Sequence, residues 1–115
     1  MEVVIDDANS QGIGIIHVDG RIDALNAGKF EEKILPLCQG EDKGFVLDFS
    51  KLVYISSAGL RAILKMAKQC KAVGKKIVIC NLASEVREVF TISGFDLIIK
   101  ISENTDSALS QISEE

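Results

Sequence analysis

The feature that most constrains this chain is an alternation of two apolar patterns. Short runs rich in β-branched residues are separated by longer stretches whose apolar residues recur every three or four positions. Ile13 to Val18, Phe45 to Phe49, Ile77 to Cys80 and Leu97 to Ile101 have the length and composition of strands, and Val3 to Ile5 adds a short first one. Asp23 to Gln39, Ser57 to Val73 and roughly Ser84 to Thr91 fall between them with helical spacing, and Thr105 to Ile112 follows the last run. Strands joined through helices return to the same end of a sheet and therefore pair in parallel. The expected class is α/β, with a mixed, mostly parallel sheet of four to five strands and about four helices.

Details within the runs sharpen this expectation. Phe45-Val-Leu-Asp-Phe49 is nearly unbroken in its apolar character, as a central strand covered on both faces requires. Gln11-Gly12 is turn-like and predicts a hairpin between the first two strands. Asn26 is a candidate N-cap for the first helix, whose buried face carries Phe30, Ile34 and Leu37. Pro36 lies near its end, has no N–H to donate, and predicts a kink or an early stop. For the helix from Ser57, the expected buried stripe is Leu60, Ile63, Leu64, Ala67 and Cys70, with Gly74 placed for a left-handed C-terminal cap. The next helix packs Val86, Val89 and Phe90.

The chain has 115 residues, enough for one domain spanning 1–115 and too few for two. A net charge of −4 argues against binding through the phosphate backbone of nucleic acid. No apolar run approaches bilayer length, and the N-terminus lacks the basic start and apolar stretch of a signal peptide. The expected location is the cytoplasm. Cys38, Cys70 and Cys80 form no CxxC or CxxH pair, so they are expected to be reduced, buried thiols that fill the core, with neither metal nor cofactor.

In open parallel sheets, partners meet the loops at the carboxyl ends of the strands. Two candidates stand out: Asp19-Gly-Arg-Ile-Asp-Ala-Leu-Asn26 after the second strand, and the segment from Asp48 to Arg61 after the central one. Neighbouring parallel strands would bring Asp23 and Ser57 to one surface. Ser56 and Ser57 stand directly ahead of the strongest helix, where a serine is a natural N-cap. A cap hydroxyl at a loop tip is also open to a kinase, and a phosphate there meets the positive end of the helix.

Other chemistries fit less well. Ser-x-Gly on a strand-to-helix turn is the arrangement of a nucleophile elbow, but Ile55 occupies a position that needs a small residue. The sole histidine, His17, lies inside a strand. Ser-Ser-Ala-Gly-Leu has neither the spacing nor the lysine of a phosphate-binding loop. Arg61, Lys65, Lys68 and Lys71 share one face of the main helix and read as its solvated side, with Arg61 the exception because it adjoins the serines.

Phe45-Val-Leu-Asp-Phe-Ser-Lys-Leu-Val-Tyr-Ile-Ser-Ser-Ala-Gly-Leu-Arg61 closely resembles the signature of STAS domains, especially of bacterial anti-sigma factor antagonists. Gly20-Arg-Ile-Asp23 with Asn26-Ala27 resembles the family's upstream loop, and Val86 to Gly94 its later short helix. The resemblance implies a protein that does no chemistry itself. Unphosphorylated, it would bind an anti-sigma factor that is a GHKL-type serine kinase, thereby freeing a sigma factor. Phosphorylation would release it, and a PPM-type phosphatase would reverse the modification. Carried over to this chain, the phosphorylated residue is Ser57, with Ser56 the second choice. The partner surface comprises Asp23, Asn26, Ser56, Ser57, Ala58, Gly59 and Arg61. The family usually has Asp where this chain has Ser56. The chain is expected to be monomeric, with no direct nucleic-acid or membrane partner. A second reading keeps the fold and the switch but gives them a non-sigma partner in stress signalling, secretion or motility, with nucleotide binding as a possible addition.

Overall fold

The computed structural model describes residues 1–6 and 11–113. Five strands, β1 (Glu2–Asp6), β2 (Ile13–Ile22), β3 (Gly44–Ile55), β4 (Lys76–Cys80) and β5 (Lys100–Ser102), lie in the sheet in their sequence order. β1 pairs antiparallel with β2, and every later neighbour is parallel. The expected hairpin is therefore present, although most of its connection lies outside the described residues. Four helices follow: α1 (Ala27–Ile34), α2 (Ser57–Ala72), α3 (Ser84–Ile92) and α4 (Thr105–Ser113).

The pleat of the sheet divides the core in two. Ile16, Val18, Phe45, Leu47, Phe49 and Ile79 face the side covered by α1, α2 and α3, where Phe30, Ile63, Met66 and Phe90 complete the main cluster. Ile13, Ile15, Val46, Val78 and Cys80 face the other side and meet Ala108 and Ile112 of α4. Crossovers of one hand between strands in sequential order put α1, α2 and α3 on a single face, as observed. The first half of β3, from Gly44 to Phe49, is buried on both faces, as the apolar run from Phe45 predicts.

Several boundaries differ from expectation, each for a physical reason. β2 and β3 extend well past Val18 and Phe49, so half of each expected loop is strand. The β2–β3 register slips at His17/Asp19 and again at Gly20/Arg21, and each slip places one extra residue in β3. Bulges of this kind break the apolar alternation, which is why Ser50-Lys51 reads as loop while remaining in the sheet. Regular helix begins only at Ala27, and the chain tightens into a 3-10 turn over Leu35–Gln39 with Pro36 in its first positions. Of the kink or early stop expected at Pro36, the structure has the stop: regular α-helix ends at Ile34. The buried stripe of α2 is Leu60, Ala62, Ile63, Met66 and Cys70, with Leu64 and Ala67 only partly covered. Gly74 takes a φ of 75°, and the Lys75 amide reaches the Cys70 carbonyl at 2.7 Å, closing the helix with the expected left-handed cap. Leu97 to Ile101 is not one strand. Gly94 ends α3, Phe95–Leu97 forms a 3-10 turn, and β5 starts at Lys100, leaving Leu97 and Ile98 exposed.

Candidate functional site

The site is built where β2 and β3 end side by side. Ile22 pairs with Ile55, and the Ser56 amide donates to the Ile22 carbonyl at 2.8 Å. The next residues on each strand, Asp23 and Ser56, therefore start from adjacent points, as the parallel-strand argument predicts. Beyond them the chain turns into α1 on one side and into α2 on the other.

Asp23 organises its own turn. Its Oδ1 accepts from the amides of Leu25 and Asn26, both at 3.0 Å, and the Asn26 Oδ1 accepts from the Asp23 amide at 2.9 Å. Asn26 Nδ2 donates to the Arg21 carbonyl at 2.9 Å. Asn26 occupies the N-cap position of α1, but its side chain caps nothing there, because both its amide groups are committed backwards to Asp23 and Arg21. The capping expected of Asn26 is instead a reciprocal lock between Asp23 and Asn26. This lock holds Leu25 at the crown of the turn, 95% exposed.

The two serines occupy different positions. Ser56 is the N-cap of α2, half-buried, with its Oγ accepting from the Gly59 amide at 3.2 Å. Ser57 is the first helical residue and is exposed. No acidic side chain lies in the first turn of α2, so an anion there would meet the positive helix end unopposed from within that turn. Gly59 is buried against the strand ends: a Cβ there would lie 2.7 Å from Ile22 Cγ2 and 2.8 Å from Ile55 Cγ1. The missing side chain is what lets α2 start so close to β2 and β3.

Beside the serines, α1 and α2 leave a groove of about 280 Å³ between them. Ala24, Ala27, Gly28 and Ala58 form its small-residue lining, and Arg61, Lys65 and Glu31 form its charged rim. Lys65 reaches across to Glu31 at 3.1 Å. The structure thus brings Asp23, Asn26, Ser56, Ser57, Ala58, Gly59 and Arg61 together at the strand ends. Sequence reasoning overlooked Leu25, and also the stacking of Arg21 over Tyr54, with 4.4 Å from guanidinium carbon to ring centre. An isolated leucine inside a polar loop was the available signal for the first. Only the bulged course of β3 reveals the second.

His17 is bonded elsewhere. Its Nδ1 lies 2.7 Å from Asp48 Oδ2, and Asp48 Oδ1 accepts from Asn81 Nδ2 at 2.9 Å and from the Ser50 amide at 3.1 Å. Burial pushes the Asp48 carboxyl up, but the bonds from Asn81, Ser50 and His17 together outweigh it and hold the group below its ordinary range. His17 is therefore part of the network around Asp48, and among the described residues no hydrogen bond joins it to either serine.

Residues 5–108 match the STAS domain family. BtrV of Bordetella bronchiseptica, named as an anti-sigma factor antagonist, is 38% identical over 97 residues, covering 84% of each chain. A crystal structure of an anti-sigma factor antagonist from Mycobacterium paratuberculosis superposes with a TM-score of 0.86 at 18% identity, covering 96% of this chain and 92% of that one. The Bacillus cell fate determinant SpoIIAA in its phosphorylated form superposes at 0.72 with 19% identity, covering 96% and 99%. At those identities the two structures speak for the fold. The chain belongs to the STAS domain family.

Proposed function

We propose that this chain is an anti-sigma factor antagonist whose binding surface is switched by phosphorylation of Ser57. The observation that carries the reading is the position of Ser57: exposed, first in α2, and beside the Asp23 turn on one continuous surface. Ser56 is occupied as the N-cap, so its neighbour is the freer acceptor. The name carried by the Bordetella relative and the phosphorylated form of the similarly folded SpoIIAA support the same reading.

Unphosphorylated, the chain presents Leu25, Asp23, Ser57, Ala58 and Arg61 to an anti-sigma factor that is itself a GHKL-type serine kinase. Occupied in this way, the anti-sigma factor releases its sigma factor. Transfer of the γ-phosphoryl group of ATP to the Ser57 oxygen, with loss of the hydroxyl proton, sets about −1.5 to −2 charges in the middle of the patch. The partner surface no longer fits, and a PPM-type phosphatase resets the switch by hydrolysis. The chain itself is substrate and ligand, not catalyst.

The test is affinity capture from lysate of the source cells with wild-type and Ser57→Asp chains as bait. Enrichment of a GHKL-type kinase on wild type and its loss on the aspartate form is the expected result. Identical captures with both baits would reduce Ser57 to a helix residue and leave an interaction module with a different partner.

A further inference from the structure

Arg61 lies four residues after Ser57, one turn along the same side of α2. Side chains on an α-helix lean toward its N-terminus, so an arginine at this spacing extends back over the serine. Arg61 is exposed and makes no ion pair among the described residues, whereas Lys65, the next cation along this side, is held by Glu31. Its donor fork is uncommitted. Ala24, Gly28 and Ala58 around it carry nothing larger than a methyl group, and the groove they line leaves room for a tetrahedral anion beside the guanidinium.

We propose that Arg61 is the intramolecular receptor for a phosphate on Ser57. The inference rests on the phosphoserine reading above and adds how the switched state is held. Two phosphate oxygens accept a parallel pair of N–H bonds from the guanidinium, a geometry that lysine cannot reproduce. Modification then acts twice: it adds negative charge, and it withdraws Arg61 from any partner carboxylate that the unmodified surface engages. Ser56 is not placed for the same clamp. It lies five residues before Arg61, off the facing position, and its Oγ is turned to the Gly59 amide.

The experiment uses the full chain with phosphoserine incorporated at position 57 during translation, so that no kinase is needed, and follows the phosphate by ³¹P NMR titration. The second ionisation should fall at lower pH in the folded chain than in the chain unfolded in denaturant. Arg61→Ala should raise that midpoint by about half a pH unit, and Arg61→Lys should recover part of the difference, because the charge remains and the fork is lost. With phosphoserine at position 56 instead, Arg61→Ala should leave the midpoint in place. An unmoved midpoint at position 57, or equal shifts at both positions, would overturn the proposal, the second by showing only a general loss of charge. The installed phosphate makes these outcomes independent of whether any kinase modifies Ser57, which a separate kinase assay decides.

Discussion

The Ser56 hydroxyl satisfies the Gly59 amide, and the Ser57 hydroxyl stands exposed one position later. Ser56→Ala leaves that amide without its partner at the start of α2 and should cost about 1 kcal/mol in denaturant unfolding. Ser57→Ala removes no such bond, and its unfolding midpoint should stay within about 0.5 kcal/mol of wild type. Equal losses for the two would show that the cap is shared. Gly59→Ala sets helix propensity against packing. Alanine is the better helix former by about 1 kcal/mol, but its Cβ would press on two branched core side chains that hold the ends of β2 and β3 together. The overlap should win, giving a net loss of about 1–2 kcal/mol. A stabilised variant would mean that the strand ends yield easily. At this scale the sequence was informative about where the serines and Gly59 lie, because cap chemistry and tight packing leave a local signature. It also placed Asn26 at the N-cap position, but not the direction of its side chain, which has equally good partners behind it and ahead of it; only the fold of the turn decides between them.

Helices and buried strands were legible from periodicity, whereas element ends were not. Ser50 and Lys51 stay in β3 through two bulges, and Leu97 and Ile98 leave the sheet despite their apolar character because Gly94 and the following 3-10 turn redirect the chain. Such outcomes depend on partners distant in sequence. The same holds for the network that ties β2, β3, β4 and α4 through Asp48 and Asn81. Asn81 Nδ2 also donates to Thr105 Oγ1 at 3.2 Å, and its backbone takes a φ of 61°. Asn81→Gly deletes the amide without straining that backbone. The Asp48 carboxyl is held below its ordinary range in the folded state, so its contribution is complete above that range and is lost as pH falls through the lowered value. Asn81→Gly should therefore be less stable than wild type by about 1–2 kcal/mol at pH 7, with a gap that narrows as the pH falls below the usual aspartate range. A gap independent of pH would remove Asp48 from the explanation.

Over the whole molecule, the sheet order and the division of helices between its faces follow from the alternation of patterns together with the handedness of crossovers. The cysteines belong to this scale because they report on the integrity of the core. Cys38 and Cys70 are buried with sulfurs 3.4 Å apart; burial, aided by the hydrogen bond the two thiols share, pushes the Cys70 thiol up to about 12. Burial also raises the Cys80 thiol, partly offset by its bond to Thr105. The native chain should therefore release no colour from an aromatic disulfide reagent at pH 8, and all 3 thiols should react once it is unfolded. Fast reaction of the folded chain would mean that the core opens readily. The sequence led to the expectation that the cysteines are buried, but neither the contact between Cys38 and Cys70 nor the stacking of Arg21 over Tyr54 could be read from it, since both arise only when distant segments meet.

On the proposed switch, a phosphate on Ser57 releases a partner held at the strand ends. This release is tested most directly by calorimetric titration of the captured kinase, without nucleotide, into the unmodified chain and into the chain phosphorylated at Ser57. The unmodified chain should bind, and the phosphorylated one should bind with an affinity at least about tenfold lower. Equal affinities for the two forms would contradict it.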